Sequence, residues 1–265
     1  MKLLLKIMYD GTHYCGFQSQ KNGRSVQEVL TAALSELFQT DCTITGCSRT
    51  DAGVHALGFC AAAAAKNPDD GEKVLTIPPE KIPRAADRFL PRDISIRSAA
   101  IVDDAFHPRY DVASKEYIYR MSDAPYRDPF TADKVWQLRK PISEEGLRRM
   151  KAAAEQIHGY RNYSSFMAAG SKITDARRTV YRCSVDRESD GILTLRISAD
   201  GFLYNMVRII TGTLVDIAYG TFSPEQMEEI IRAENRTAAG KTAPADGLYL
   251  NEVTYRVPIH WIESK

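Results

Sequence analysis

With 265 residues, 44% of them hydrophobic and 26% charged, the chain has an ordinary globular composition and is long enough to bury the core of one large or two medium domains. Lys plus Arg number 35 against 34 Asp plus Glu, a formal charge of +1, which argues against a uniformly basic nucleic-acid coat; an anionic partner must be met by positive groups gathered on one face. The five cysteines include no CxxC pair and no zinc spacing, which fits reduced thiols in the cytoplasm better than a disulfide framework or a structural metal.

The chain opens on an apolar run that ends at Asp10-Gly11. It is too short to span a membrane and lacks a small-residue cleavage site, so a strand is expected, with Leu3, Leu5, Ile7 and Tyr9 on one face. Ser25 followed by Glu28 is a capping box, and Val26, Val29, Leu30, Ala33, Leu34 and Leu37 recur at helical spacing. Strands are expected over 43–47 and 57–64, the second weakened by its alanines. A polar surface loop over 66–73 leads to a short helix near 79–85 and a strand over 94–102. Further on, 115–121 alternates with Tyr117, Tyr119 and Met121 on one face, and 135–138 is a candidate partner strand. Ser143 caps a helix with Leu147, Met150, Ala154 and Ile157 inward, and 180–187 with 192–199 reads as a hairpin. An apolar stretch from Gly201, with Leu203, Met206, Val207, Ile210, Leu214 and Ile217 on one wide helical face, contains Arg208, and a last helix starts at Ser223 with Pro224 at its first position and Gln226 completing a capping box. The tail over 250–262 reads as an edge or sheet-closing strand. Strand and helix signals alternate throughout, which gives an α+β chain of two sheet-and-helix halves.

The chemistry gathers at GCSRTDAGVHALGF, residues 46–59. Gly53 and Gly58 bracket polar Arg49, Thr50 and Asp51, so a tight turn carries a carboxylate; it is either a ligand-facing loop or a solvated turn. Arg208 on its greasy helix needs an acceptor, and Asp216 or a snorkelling route to solvent would satisfy it as well as Asp51 would. An arginine within a few ångströms of Asp51 would hold the carboxylate ionised and aimed. Arg84, Arg88, Arg92, Arg97 and Arg109 are either a solvated surface or a phosphate-facing ridge. No GxGxxG, GxxxxGK[ST] or HExxH is present, so neither cofactor nor metal is expected.

Seven blocks resemble the bacterial TruA-type tRNA pseudouridine synthases, in that family's order: YDGTHYCGFQSQ (9–20), SVQEVL (25–30), GCSRTDAGVHALG (46–58), LPRDI (90–94), FHPRYDVASKEYIYR (106–120), GFLYNMVRIITGTL (201–214) and APADGLYL (243–250). The resemblance implies an α+β fold of two ferredoxin-like halves joined into a pseudouridine-synthase catalytic domain with a central cleft. The expected division is 1–105, carrying the catalytic loop, and 106–265, carrying the Tyr strand and the Arg helix. It implies isomerisation of uridine to pseudouridine in the anticodon stem-loop of tRNA, at positions 38, 39 and 40, by a cytoplasmic homodimer with no membrane partner. Asp51 matches the catalytic aspartate, Tyr117 the aromatic against the target base, with Tyr119 on the same strand face as its rival, and Arg208 the partner of the carboxylate. Arg49 matches the residue that holds the nucleotide out of its stack. Arg24, Arg84, Arg88, Arg109, Lys115, Lys172, Arg177 and Arg178 are the candidate phosphate contacts. Asp51 would bond to the sugar or to uracil C6, or act as a base in a glycal route. Phe59, where the family usually has Gln, and the alanines at 61–65 depart from the pattern. The rival readings are a noncatalytic RNA-binding protein on the same scaffold and a glycosidase-like enzyme with a second acid facing Asp51.

Overall fold

A computed structural model describes residues 1–21, 23–171 and 173–263. In chain order the elements are β1 (Lys2–Tyr9), α1 (Val26–Phe38), β2 (Cys42–Gly46), β3 (His55–Ala65), α2 (Ile82–Ala86), β4 (Ile94–Val102), β5 (Val112–Ser122), β6 (Trp136–Gln137), α3 (Glu144–Glu155), β7 (Gly159–Asn162), β8 (Arg177–Arg187), β9 (Leu193–Ala199), α4 (Met206–Ala218), α5 (Gln226–Arg232), β10 (Leu248–Tyr255) and β11 (Ile262–Glu263). The chain is α+β and forms two compact units, Met1–Ala113 with Leu250–Lys265, and Ser114–Tyr249. The division drawn at 105/106 therefore lies at 113/114, and the C-terminal segment returns to the first unit. Long-range bonds explain both shifts: the Tyr255 hydroxyl donates to the Pro108 carbonyl and the Arg256 amide to the Asp111 carbonyl.

In the first unit β1 lies between β3 and β4, antiparallel to both, while β2 pairs with β3 and β11 with β4. Leu3, Leu4 and Leu5 face Ala63, Ala62 and Ala61 across the ladder, and all six are buried. The small residues fit a strand flanked on both sides, so packing overrides the poor strand propensity of alanine. Ser25 caps α1 through a complete capping box, and Val26, Leu30, Ala33, Leu34 and Phe38 are its buried stripe. The segment expected as a loop over 66–73 winds instead into a 3-10 helix, Pro68–Leu75, started by the Asn67 side chain accepting from the Asp69 amide. Its one buried residue, Val74, leaves no periodic stripe to read.

In the second unit β9 lies between β5 and β8, antiparallel to both, β7 pairs with β8, and β6 runs parallel to β5. α3 packs on α4 and β8. Near α5, Ser223 to Glu225 form a turn in which the Ser223 amide donates to Gln226 Oε1, so the regular helix starts later than the Pro224 signal suggests. A part-buried ion pair ties the region together: both Asp123 oxygens accept from Arg187, at 2.8 and 2.9 Å, and Asp123 also accepts the Ile142 amide. The hydrogen bond from Arg187 holds the Asp123 carboxyl below the usual carboxylate range. No helix among the described residues is long and apolar enough to cross a membrane.

Candidate catalytic site

Asp51 sits in the turn between β2 and β3, and that turn is braced by the loop that follows β1. The Phe17 amide donates to the Thr50 carbonyl, the Gly53 amide to the Tyr14 carbonyl and the Val54 amide to the Asp51 carbonyl. Below the turn, the Tyr9 hydroxyl meets the Thr50 hydroxyl at 2.8 Å. Phe59 stacks on Phe17 at 4.1 Å and lies 5.7 Å from Tyr9. Its departure from Gln thus builds an apolar floor under the turn, since Phe59 is fully buried.

The fit leaves no room for side chains. Gly16 has φ +105°, and a Cβ there would lie 2.4 Å from the Thr50 carbonyl oxygen; on Gly11 it would lie 2.0 Å from that of Val54. These two glycines are the structural reason for the YDGTHYCGF block. His55, also buried, accepts the Gly11 amide at Nδ1. Tyr14 donates to Asp93 at 2.8 Å, and burial, reinforced by that bond, pushes its phenol well above the usual range. The LPRDI block therefore joins the same cluster. Arg24 lies with its guanidinium 5.5 Å from the Tyr14 ring, which brings one predicted phosphate contact beside the acid loop. Arg49 is exposed on the loop itself.

In the second unit Arg208 lies in the first turn of α4. Its Nε donates to the Ala243 carbonyl at 2.8 Å and its Nη1 to Asn205 Oδ1 at 2.9 Å, while the Ala243 amide donates to the Arg208 carbonyl. Asn205, at the helix start, has φ +59°. The guanidinium is thus held by two fixed acceptors, and Asp216, weighed above as a partner, instead lies 3.7 Å from Lys241. Tyr119 is fully buried, donates to the Pro244 carbonyl at 2.7 Å and meets Trp136 edge-on. Burial raises its phenol pKa far above the usual value. Tyr117 packs edge-on against Phe202 at 5.0 Å. Next to Phe202, Gly201 lies against the Arg178 side chain, whose Nη1 donates to the Asp175 carbonyl.

The remaining predicted contacts lie on several elements. Arg84 in α2, Arg88 after it, and Arg109 before β5 are exposed; Lys115 is half-buried in β5. Arg177 is paired with Asp175 at 3.0 Å, which spends part of its charge locally. Lys172 lies outside the described residues. Sequence reasoning missed Gly11, Gly16, Tyr14 and His55 as braces, and Asn205, Phe202 and Ala243 as supports. Only the glycines, in a loop between strand and helix, left a readable signal.

A family model described as tRNA pseudouridine synthase matches residues 6–111 and 153–256. The chain belongs to the tRNA pseudouridine synthase family. It is 38% identical to tRNA pseudouridine synthase A of Ruminiclostridium cellulolyticum over 254 residues, covering 96% of this chain and 99% of the relative. It is 37% identical to tRNA pseudouridine synthase A of Bacillus subtilis over 257 residues, again covering 96% and 99%. The corresponding protein of Thermoanaerobacter pseudethanolicus is 38% identical over 253 residues, with 96% and 99% covered. Asp51 and Arg208 both fall within the segments that the tRNA pseudouridine synthase model matches.

Proposed function

We propose that this enzyme isomerises uridine to pseudouridine in the anticodon stem-loop of tRNA, at positions 38, 39 and 40, with Asp51, Tyr117 and Arg208 acting in one site in a cleft between two ferredoxin-like halves. The carrying observation is that the family-matched chain presents Asp51 on a turn braced by three backbone hydrogen bonds and by the Tyr9–Thr50 hydroxyl pair. In this reading the N1–C1′ bond breaks, the uracil turns, C5 bonds to C1′ and gives up its proton, and N1 takes one up; substrate and product are isomers, so no redox agent is consumed. The uridine must first leave its stack. Arg49 braces the vacated space and Tyr117, backed by Phe202, packs on the base. The Tyr119 hydroxyl is already engaged by the Pro244 carbonyl, which favours Tyr117 for that role. Asp51 acts on the nucleoside through its carboxylate, which the Arg208 guanidinium keeps ionised and aimed. Arg24, Arg84, Arg88, Arg109, Lys115, Lys172, Arg177 and Arg178 supply the phosphate contacts. The protein works as a cytoplasmic homodimer, each subunit contributing to the tRNA groove.

The test is site-resolved pseudouridine detection on tRNA treated with wild type, Asp51→Ala and Asp51→Asn. Wild type should convert positions 38–40, and both variants should fall by more than about 10⁴-fold. Folded wild type that converts no uridine on several tRNAs sinks the assignment, and Asp51→Asn at near wild-type rate sinks the role of Asp51.

A further inference from the structure

The second unit also contains a cavity of about 480 Å³ between β6 and α4, which the proposed reaction does not use. Leu138 and Val215 contribute apolar wall, Trp136 and Tyr219 contribute rings, and Arg139, Lys140 and Lys241 bring positive charge. Lys241 Nζ stands 5.3 Å from the Trp136 ring and Lys140 Nζ 4.8 Å from that of Tyr219. Asp216 Oδ1, 3.7 Å from Lys241 Nζ, is the acid beside them, so the cations outnumber the acid at this wall. The size is that of a small-molecule site. Inorganic phosphate would have no use for the rings, and a neutral apolar ligand no use for three cations. A flat ring system bearing a phosphate uses both, because aromatic side chains stack bases and Lys or Arg bind phosphate oxygens.

The cavity shares a wall with the Arg208 fork. Thr242 and Pro244 line it, while Ala243, between them and buried, holds Arg208 through its carbonyl and amide. The Pro244 carbonyl receives the Tyr119 hydroxyl, and the Tyr119 ring meets Trp136.

We propose that this cavity binds one nucleotide, its base against Trp136 and its phosphate between Arg139, Lys140 and Lys241. The shared chemistry is a phosphorylated nucleoside, supplied either free or as one residue of an RNA strand. Trp136 and Trp261 are the two tryptophans, so Trp261→Phe leaves Trp136 as the reporter. In that background AMP and oligoadenylate, which contains no uridine to engage the isomerisation, are titrated against Trp136 fluorescence, with sodium phosphate as the third probe. Saturable quenching is expected, weakened at least about tenfold in Arg139→Gln/Lys241→Gln. Both substituted residues are exposed, and far-UV circular dichroism checks that the fold is kept. Oligoadenylate binding more than about tenfold tighter than AMP, the size of one strong polar contact, assigns the site to an RNA strand; equal affinity assigns it to a free mononucleotide. No saturable change with either at millimolar concentration, a phosphate curve equal to that of AMP, or an unchanged curve in the double variant overturns the proposal. Pseudouridine formation on tRNA is measured separately, so failure here and failure of the catalytic reading are distinguishable.

Discussion

Around Asp51 the first unit sets main chain against main chain: the loop after β1 and the turn after β2 touch through carbonyls and amides, with Gly11 and Gly16 removing any side chain between them. Around Arg208 the second unit works through a side chain, whose guanidinium is fixed by the Ala243 carbonyl and the Asn205 amide oxygen. The difference follows from the groups. A carboxylate on a short side chain is aimed chiefly by its backbone, whereas a long arginine has rotamer freedom that only bonds to its own fork remove. The acid should therefore fail when the backbone is disturbed, and the arginine when its planar donors are replaced.

The sharpest break on the acid side is Gly16→Ala. The new methyl meets a backbone carbonyl at 2.4 Å and the residue must keep φ +105°, so we expect a loss of about 2–4 kcal/mol in urea unfolding. A change below about 1 kcal/mol, the ordinary size of a point substitution, would show that the two loops separate freely. On the other side, Arg208→Lys keeps the charge and loses the fork. We expect kcat to fall about 100-fold with KM for tRNA nearly unchanged, the size of a lost preorganised donor. Asn205→Gly keeps the left-handed backbone and removes one acceptor, and should cost about tenfold. Wild-type kcat in Arg208→Lys would mean that charge alone suffices.

Acid should separate the two units next. Asp123 in the second unit is held below the usual carboxylate range by its bond to Arg187 and is 10% exposed. In the first unit Asp70 and Asp104 are also lowered, but by exposed partners. A depressed carboxylate contributes stability above its unfolded pKa and loses it as pH falls through its folded one. The Asp123 contribution is thus complete above about pH 5 and drains away below it. Hydrogen exchange of β8 and β9 should rise on acidification before that of β1 and β3. Asp123→Asn should cost about 1.5–3 kcal/mol at neutral pH and flatten the acid limb. An acid limb unchanged by that substitution would remove the pair from this account.

The local signals that proved legible are those whose physics is local. The Ser25–Glu28 box, the alternation of β1 and the stripe of α3 announce themselves because capping and periodicity act within a few residues. Pairing between segments far apart in the chain has no such signature. Nothing in 250–265 says that it returns to the first unit; Tyr255 and Arg256 reveal it only through their bonds to Pro108 and Asp111. The Asp51 turn could be singled out from its glycines, and the family from its blocks, but Tyr14, Gly16 and His55 read as loop residues until the turn lies on top of them. Asp216 near Arg208 in sequence was a plausible partner, and the helix places it by Lys241 instead.

The smallest expected effect bears on which tyrosine faces the base. Tyr117 and Tyr119 share a strand face, yet only one can be a stacking surface if the other is consumed by the core. Tyr119 is fully buried, with its hydroxyl on the Pro244 carbonyl and its ring edge-on to Trp136. Tyr119→Phe should lower stability by about 1 kcal/mol, the net value of one hydrogen bond, and leave kcat unchanged. The Tyr117 ring packs against Phe202, and Tyr117→Leu should lose the stack on the base, worth about 1–3 kcal/mol per base. If Tyr119→Phe instead lowers kcat at constant stability, the roles are exchanged, and the Pro244 bond becomes a link from the 240–244 segment to the base rather than a brace of the core.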